Sequence, residues 1–303
     1  MIQRIIVVIL ILAAAIIIII QPKTSLKKII KNTEASQSPI QVVTKEILFP
    51  KPAPDYQETP ATSAQAIAII DSKTGISLYE KDANTKHLPA STTKMMTALI
   101  TLENCSPKDI VTVTSLQKEG SQMGLEVGDK LTVENLLYGL LLTSGNDAAY
   151  ALANACASSY NSFIQNMNQK ALDLEMKNTH FINPAGFDDN LQYSTALDLA
   201  KLAKIVVANP LIAKIVSTKS SVVTDITGNK TYTLENIDKL LGVVSGLEGV
   251  KTGQTEGSLG IFISKITRDG NTVIIAVLGS NDRFGESEQL IDWVFKNHIW
   301  PKH

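Results

Sequence analysis

The sequence predicts one mixed α/β domain, of the α+β kind, over residues 64–303, preceded by an apolar N-terminal segment and a linker. Three observations support this. Strand-like patterns stand at both ends of the region. Helix-like patterns fill its middle. Before it lie an unbroken apolar run, 5–20, and a polar stretch punctuated by proline.

The apolar run is led by Arg4 and is at the short end of the about 17–25 residues that a membrane span needs. A cleaved signal peptide would need a small-residue site after it. The only such site, Ala13-Ala14-Ala15, would leave five isoleucines at the new terminus. An uncleaved signal anchor over 1–21 is therefore expected. Lys23, Lys27, Lys28 and Lys31 come directly after it, and the positive-inside rule alone does not place the rest of the chain outside the cell. Residues 22–63 contain Pro22, Pro39, Pro50, Pro52, Pro54 and Pro60. Proline removes a donor and stiffens the chain, so this stretch reads as an extended linker. Within it, 40–49 reads either as a short strand or as a segment that docks on the domain.

In the domain, 66–70 and 76–79 flank Asp71-Ser72-Lys73-Thr74-Gly75 and read as a hairpin. Helical patterns follow at 91–104, 133–142, 147–157, 162–174 and 195–207. Strands are expected at 250–252, 259–267 and 272–279, the last two joined at Asp269-Gly270-Asn271. A helix over 286–296 closes the chain. The formal net charge is -1, with no basic stripe of the kind that marks a nucleic-acid partner. His87, His180, His298 and His303 show no metal-ligand spacing, so no metal site is expected, and no cofactor.

Three motifs stand in order: Ser91-Thr92-Thr93-Lys94, Ser144-Gly145-Asn146 and Lys251-Thr252-Gly253. Each alone is weak, since a Ser/Lys pair on a helix surface is common. The set is the signature of serine enzymes that handle penicillin or D-alanyl peptides. On a helix, Ser91 and Lys94 share a face. A serine hydroxyl needs an adjacent base, and a lysine can be that base if burial and nearby positive charge lower its pKa. Lys251 is placed to supply such a charge. A serine at a helix start also has free N–H groups and the helix dipole for a developing oxyanion.

Longer stretches carry a resemblance. They are 88–97, 142–149, Phe181-Ile182-Asn183-Pro184-Ala185-Gly186-Phe187, 193–200 and Gly249-Val250-Lys251-Thr252-Gly253-Gln254-Thr255. From about Ala64 onward the chain resembles the serine D-alanyl-D-alanine carboxypeptidases, the low-molecular-mass penicillin-binding proteins. The resemblance implies the fold shared by serine β-lactamases and penicillin-binding proteins, an antiparallel sheet flanked by helices with a helical subdomain. It implies a substrate of peptidoglycan pentapeptide ending in D-Ala-D-Ala, covalent inhibition by β-lactams, and a catalytic domain on the extracytoplasmic side of the membrane. That cell-wall substrate outweighs the lysines after the apolar run. Many relatives carry a second β-rich domain and a C-terminal anchor. With the sequence ending at His303, neither is expected, and the N-terminal span would replace the anchor.

The resemblance implies roles residue by residue. Ser91 is the acylated nucleophile and Lys94 its base. Ser144 relays a proton toward the leaving amine, Asn146 holds the substrate amide, and Lys251 keeps the site positive. Thr252, beside Gly253, binds the terminal carboxylate, with Arg283 as a second carboxylate ligand. The N–H groups of Ser91 and Gln254 form the oxyanion hole. Of the three arginines, Arg4, Arg268 and Arg283, only Arg283 lies seven residues before Leu290-Ile291-Asp292-Trp293, as in the family. The alternative for it is a surface ion pair. Two departures stand out. Asp238 replaces the second asparagine of the family's Asn-x-Asn stretch, leaving a structural hydrogen bond in question. Ser258-Leu259-Gly260 replaces an Ala-Gly-aromatic.

A β-lactamase is disfavoured, because no Glu-x-x-Leu-Asn stretch follows Ser144-Gly145-Asn146. A D,D-endopeptidase of the same family, and a tethered penicillin-binding receptor without turnover, stay open. Cys105 and Cys156 are expected to be two separate buried thiols, a disulfide being the alternative if the helices they end run side by side.

Overall fold

The computed structural model describes residues 49–301. The expected signal anchor at 1–21, and the linker as far as residue 48, lie outside them. Among the described residues, no helix is long and apolar enough to cross a membrane.

A five-stranded antiparallel sheet forms the frame. Its strands are β2 (Ala66–Asp71), β3 (Ser77–Lys81), β8 (Leu247–Thr255), β9 (Leu259–Arg268) and β10 (Asn271–Ser280), in the order β3-β2-β10-β9-β8. Short elements complete the strand set: β1 (Lys51–Pro52), β4 (Ile110–Thr112), β5 (Lys130–Thr132), β6 (Ser220–Thr224), β7 (Thr231–Glu235) and β11 (His298–Ile299). The helices are α1 (Thr93–Asn104), α2 (Val133–Leu141), α3 (Asn146–Ala155), α4 (Tyr160–Asp173), α5 (Ala196–Val206), α6 (Pro210–Val216) and α7 (Arg283–Asn297).

Strand β2 explains why its sequence, Ala-Ile-Ala-Ile-Ile-Asp, is apolar almost throughout: every residue is buried. Side chains alternate across a strand. Ala66, Ala68 and Ile70 enter the core shared with the helical middle, while Ile67 and Ile69 enter a second core with Leu290, Ile291 and Val294 of α7. The sheet is therefore covered on both faces. The β9–β10 hairpin closes on Asp269 (φ 49°) and Gly270 (φ 76°), two left-handed residues as a type I′ turn requires. That is one residue tighter than the expected three-residue turn.

Helix α1 runs through the centre of the helical region and packs on α2, α3, α4 and α5. Side-chain caps start its neighbours: Thr132 accepts from Asn135 N (3.2 Å) at α2, and Thr195 accepts from Asp198 N (3.1 Å) at α5. The sequence reading missed α6, the β4–β5 pair and the β6–β7 hairpin. It also ended β8 too early and began α7 three residues late.

Residues 51–63, placed in the linker by the sequence reading, are packed on the domain. Lys51 and Pro52 pair with Ile299 and His298. Trp293 Nε1 donates to Gln57 O (2.9 Å), and Tyr56 meets the Trp293 ring edge-on. Glu286 Oε1 accepts from both Ser63 N (2.6 Å) and Ser63 Oγ (2.7 Å). Composition misled here because a proline-rich segment without internal hydrogen bonds can still dock through its side chains.

The expectation of separate thiols is also corrected: Cys105 and Cys156 form a disulfide, with Cα atoms 5.6 Å apart. Cys105 follows α1 and Cys156 follows α3. The two helices pack against each other and end together. The sequence did not fix that relation. Closing a loop with a sequence separation of 51 restricts the unfolded chain by an amount the chain-entropy picture puts at about 4 kcal/mol. We predict that Cys105→Ala/Cys156→Ala lowers the free energy of denaturant unfolding by about 2–4 kcal/mol. An unchanged midpoint and slope would show that the bridge adds nothing.

Candidate active site

Ser91 lies in a single 3-10 turn, Ala90–Thr92, that leads into α1. Ala90, just before it, is buried and has φ 45°. A non-glycine residue in this region is strained and persists only where its surroundings over-determine it. The surroundings here are Gly186 and β8. A Cβ on Gly186, itself at φ 93°, would stand 1.8 Å from Ala90 O, so only glycine fits. Asn183 shapes that loop, its Oδ1 accepting from Ala185 N (3.2 Å), Gly186 N (2.7 Å) and Phe187 N (3.0 Å).

Lys94 sits one helical turn from Ser91 and is fully buried, at 0% exposure. Its Nζ is 3.0 Å from Ser91 Oγ and donates to Ala185 O at 2.6 Å. Burial drives its pKa well below the ordinary lysine value; the charge of Lys251 pushes the same way, and Asp147 opposes both. A neutral amine with one N–H on Ala185 O keeps a lone pair for the Ser91 hydroxyl proton.

Ser144 is buried and held at φ 60°, a second strained non-glycine residue. Asn146 N donates to Ser121 O (2.7 Å) and Asn146 Nδ2 to Glu119 O (2.8 Å), tying the loop before β5 to the site. Asp147 secures that loop further. Its carboxylate accepts from Met123 N, Gly124 N, Leu125 N and Ala148 N, each at 2.9 Å.

Lys251 comes from β8, the edge strand on this side of the sheet. It is also buried, with Nζ 3.0 Å from Ser144 Oγ and 2.9 Å from Thr252 O. Its pKa falls to about 7, first through burial and also through Arg283, against the attraction of Asp238. Gly253 explains the small residue of the third motif. A Cβ there would lie 3.1 Å from both Ala90 Cβ and Ser91 N, pressing on the turn that presents Ser91.

Arg283 opens α7 and reaches β8, where its NH1 donates to Gln254 Oε1. It makes no ion pair among the described residues, and its Nε is buried without a partner. The structure thus gathers Ser91, Lys94, Ser144, Asn146, Lys251, Thr252, Gly253, Gln254 and Arg283 around one end of α1, the start of α3 and one edge strand. The surface ion pair weighed for Arg283 does not form.

Three supporting residues escaped the sequence reading. Asp147 lay within the resembling stretch 142–149, but nothing in the sequence showed that it fastens residues 123–125. Asn183 and Ala185 lay within a stretch that carries the resemblance, but nothing in the sequence showed which atoms they offer. The hydrogen bond left in question at Asp238 is partly kept: Oδ1 accepts from Leu240 N (2.9 Å). Asn236 holds the segment by donating to Val216 O (3.1 Å) and Thr218 O (3.0 Å). Ser258 does not break the β8–β9 ladder, which runs to Thr255 and Leu259, and its Oγ accepts from Thr255 N (2.9 Å). Among the described residues, no group of three or more His, Cys, Asp or Glu is placed to hold a metal.

The chain is similar to known proteins along most of its length. A family model described as D-alanyl-D-alanine carboxypeptidase matches residues 54–282. A D-alanyl-D-alanine carboxypeptidase of Bacillus subtilis is 33% identical over 249 residues, covering 78% of this chain and 64% of the relative, so the chain spans somewhat under two thirds of that protein. One from Streptomyces sp. is 37% identical over 248 residues, covering 73% and 85%. Among solved structures, a Streptomyces DD-transpeptidase superposes with a TM-score of 0.75 at 35% identity, covering 79% of this chain and all of the other. A penicillin-binding protein homologue of Mycobacterium tuberculosis gives 0.76 at 31%, covering 84% and 98%. The chain belongs to the D-alanyl-D-alanine carboxypeptidase family.

Proposed function

We propose that this protein is a serine D-alanyl-D-alanine carboxypeptidase that removes the terminal D-alanine of peptidoglycan stem peptides through an acyl-enzyme on Ser91, the same serine being acylated by β-lactams. The observation that carries the proposal is the buried Lys94 amine 3.0 Å from Ser91 Oγ, with its pKa driven down. In the acylation step Ser91 Oγ bonds to the carbonyl carbon between the two D-alanines, and its proton passes to Lys94. The tetrahedral oxyanion takes hydrogen bonds from Ser91 N and Gln254 N. The C–N bond then breaks as Ser144 gives its proton to the departing D-alanine nitrogen and regains one from Lys94, which is neutral again. In deacylation Lys94 takes a proton from water, which attacks the ester and returns the proton to Ser91.

Binding would use the free edge of β8. An edge strand has unpaired backbone groups, which an extended peptide can pair with. Thr252 and Arg283 would hold the terminal carboxylate, Asn146 the peptide amide. Arg283 suits that role because no acidic side chain among the described residues neutralises it, and its fork matches a carboxylate. The structural neighbour from Streptomyces is a DD-transpeptidase. An amine could therefore replace water as acyl acceptor on the same intermediate, and D,D-crosslinks could serve as substrates. Product masses from a D-Ala-D-Ala peptide, with and without an added amine, separate hydrolysis from transfer; a receptor without turnover would release no D-alanine.

We place the domain outside the cytoplasm, tethered by its N-terminal segment. The substrate class and the Cys105–Cys156 disulfide support the compartment, since disulfides persist in oxidising surroundings.

Ser91→Ala should abolish both covalent penicillin labelling and D-alanine release while the protein stays folded. Penicillin still bound covalently to that variant would refute the assignment. Lys94→Arg puts a permanent cation there that cannot act as a base near neutral pH. Acylation should fall by about 10²–10⁴-fold, the usual contribution of general-base catalysis; a loss under tenfold would move the base elsewhere. Arg283→Ala should weaken hydrolysis of substrates with a free terminal carboxylate by about 1.5–3 kcal/mol, roughly tenfold to a hundredfold. Acylation by an ester lacking that carboxylate should change little. Equal losses on both would make Arg283 structural.

A further inference from the structure

Asp238 is a buried acid that the chemistry above does not use. It lies between β7 and β8, on the stretch 236–246 that returns the chain to the sheet. Ile237 N donates to Leu142 O at 3.2 Å, two residues before Ser144. That bond anchors the residue before Asp238 to the chain leading into Ser144, whose Oγ is 3.0 Å from Lys251 Nζ; Asp238 and Lys251 themselves form no hydrogen bond or ion pair. Asp238 is 8% exposed. Its Oδ1 caps Leu240 N, whereas its Oδ2 is buried with no hydrogen-bond partner. A carboxamide would meet the same capping need without burying a charge, and asparagine is what the family pattern usually has here. A buried carboxylate oxygen without a hydrogen bond is costly unless a cation compensates it.

We propose that Asp238 is a positioning residue that holds the proton on Lys251, extending upward the pH range in which the site offers a cation to a substrate carboxylate. The inference rests on the carboxypeptidase reading for the role of that cation.

Electrostatics run the same way from both partners. Asp238 pulls the Lys251 pKa upward, against burial and Arg283. Burial pushes the Asp238 pKa up to about 6, opposed first by the Leu240 and Leu241 N–H groups and then by the charge of Lys251. The other charged groups facing this cluster do not replace Asp238. Lys94 on α1 serves as the neutral base, and Arg283 on α7 repels a proton on Lys251. Asp147 on α3 is committed to four N–H groups and acts on Lys94. Lys239 turns toward the Phe284 ring, and Lys219 lies along Gly242.

The test is Asp238→Asn, in the full chain, with two readouts. The first is the pH dependence of penicillin acylation and of D-alanine release. Removing the carboxylate should move the alkaline limb down by about one pH unit, the size of shift that a nearby opposite charge produces. The acid limb, set by Lys94, should stay in place. Coincident alkaline limbs would overturn the proposal. The second is thermal unfolding of both proteins from about pH 4 to pH 8. A carboxyl whose folded pKa is raised contributes stability present below its unfolded value and lost as pH rises through the folded value, here about 6. The asparagine variant should therefore gain stability relative to the parent as pH rises through that range. A difference that is flat with pH would mean that Asp238 is not a buried ionising group, and the proposal would fall. If the parent released no D-alanine, the carboxypeptidase reading would fail, while the melting comparison would still report on Asp238.

Discussion

Two lysine side chains are buried within one polar cleft, and most of the site's construction follows from that. A lysine in water holds its proton far above neutral pH. Stripped of water and set near a second cation, it gives the proton up. Burial and Lys251 impose this on Lys94, burial and Arg283 impose it on Lys251, and each lysine stands 3.0 Å from a serine hydroxyl. The pair needs something to keep it from collapsing into two neutral amines or two repelling cations. Two acids divide that work: Asp147 acts on Lys94, and Asp238 acts on Lys251.

Rigidity comes from beneath the site. Ala90 and Ser144 both hold left-handed backbone conformations, and strain of this kind survives only where packing leaves no alternative. Gly186 gives Ala90 the room it needs. Gly253 lets β8 approach the same turn from the other side. The Asp147 carboxylate fastens residues 123–125 to the head of α3. Further away, the disulfide joins the far ends of the two helices whose near ends carry the proposed catalytic groups. Position and pKa therefore have separate structural sources, one in backbone packing and the other in burial and charge.

Much of this was legible in the sequence. The Ser-x-x-Lys spacing requires one helical face, and the strands and main helices show in periodicity. What stayed hidden has physical reasons. Short elements such as α6 and the β6–β7 hairpin carry too few residues for a period to emerge. The proline-rich segment 51–63 docks through Tyr56, Gln57 and Ser63, contacts that composition cannot express. The disulfide depended on how α1 and α3 lie against each other, a tertiary fact. Arg283 could be placed near the site only by resemblance; its lack of an acidic partner among the described residues is a property of the folded chain. Asp238 showed in the sequence as a departure from pattern, but its burial and its unpartnered oxygen could not.

The central claim is that Lys94 holds its proton far less tightly than an ordinary lysine. The most direct measurement is the pH titration of its ε-carbon and ε-nitrogen NMR signals in lysine-labelled protein, assigned by comparison with Lys94→Arg. The account predicts a change from ammonium to neutral-amine shifts well below the pH at which an ordinary lysine titrates. Ammonium shifts that persist up to about pH 10, as for an ordinary lysine, would contradict it.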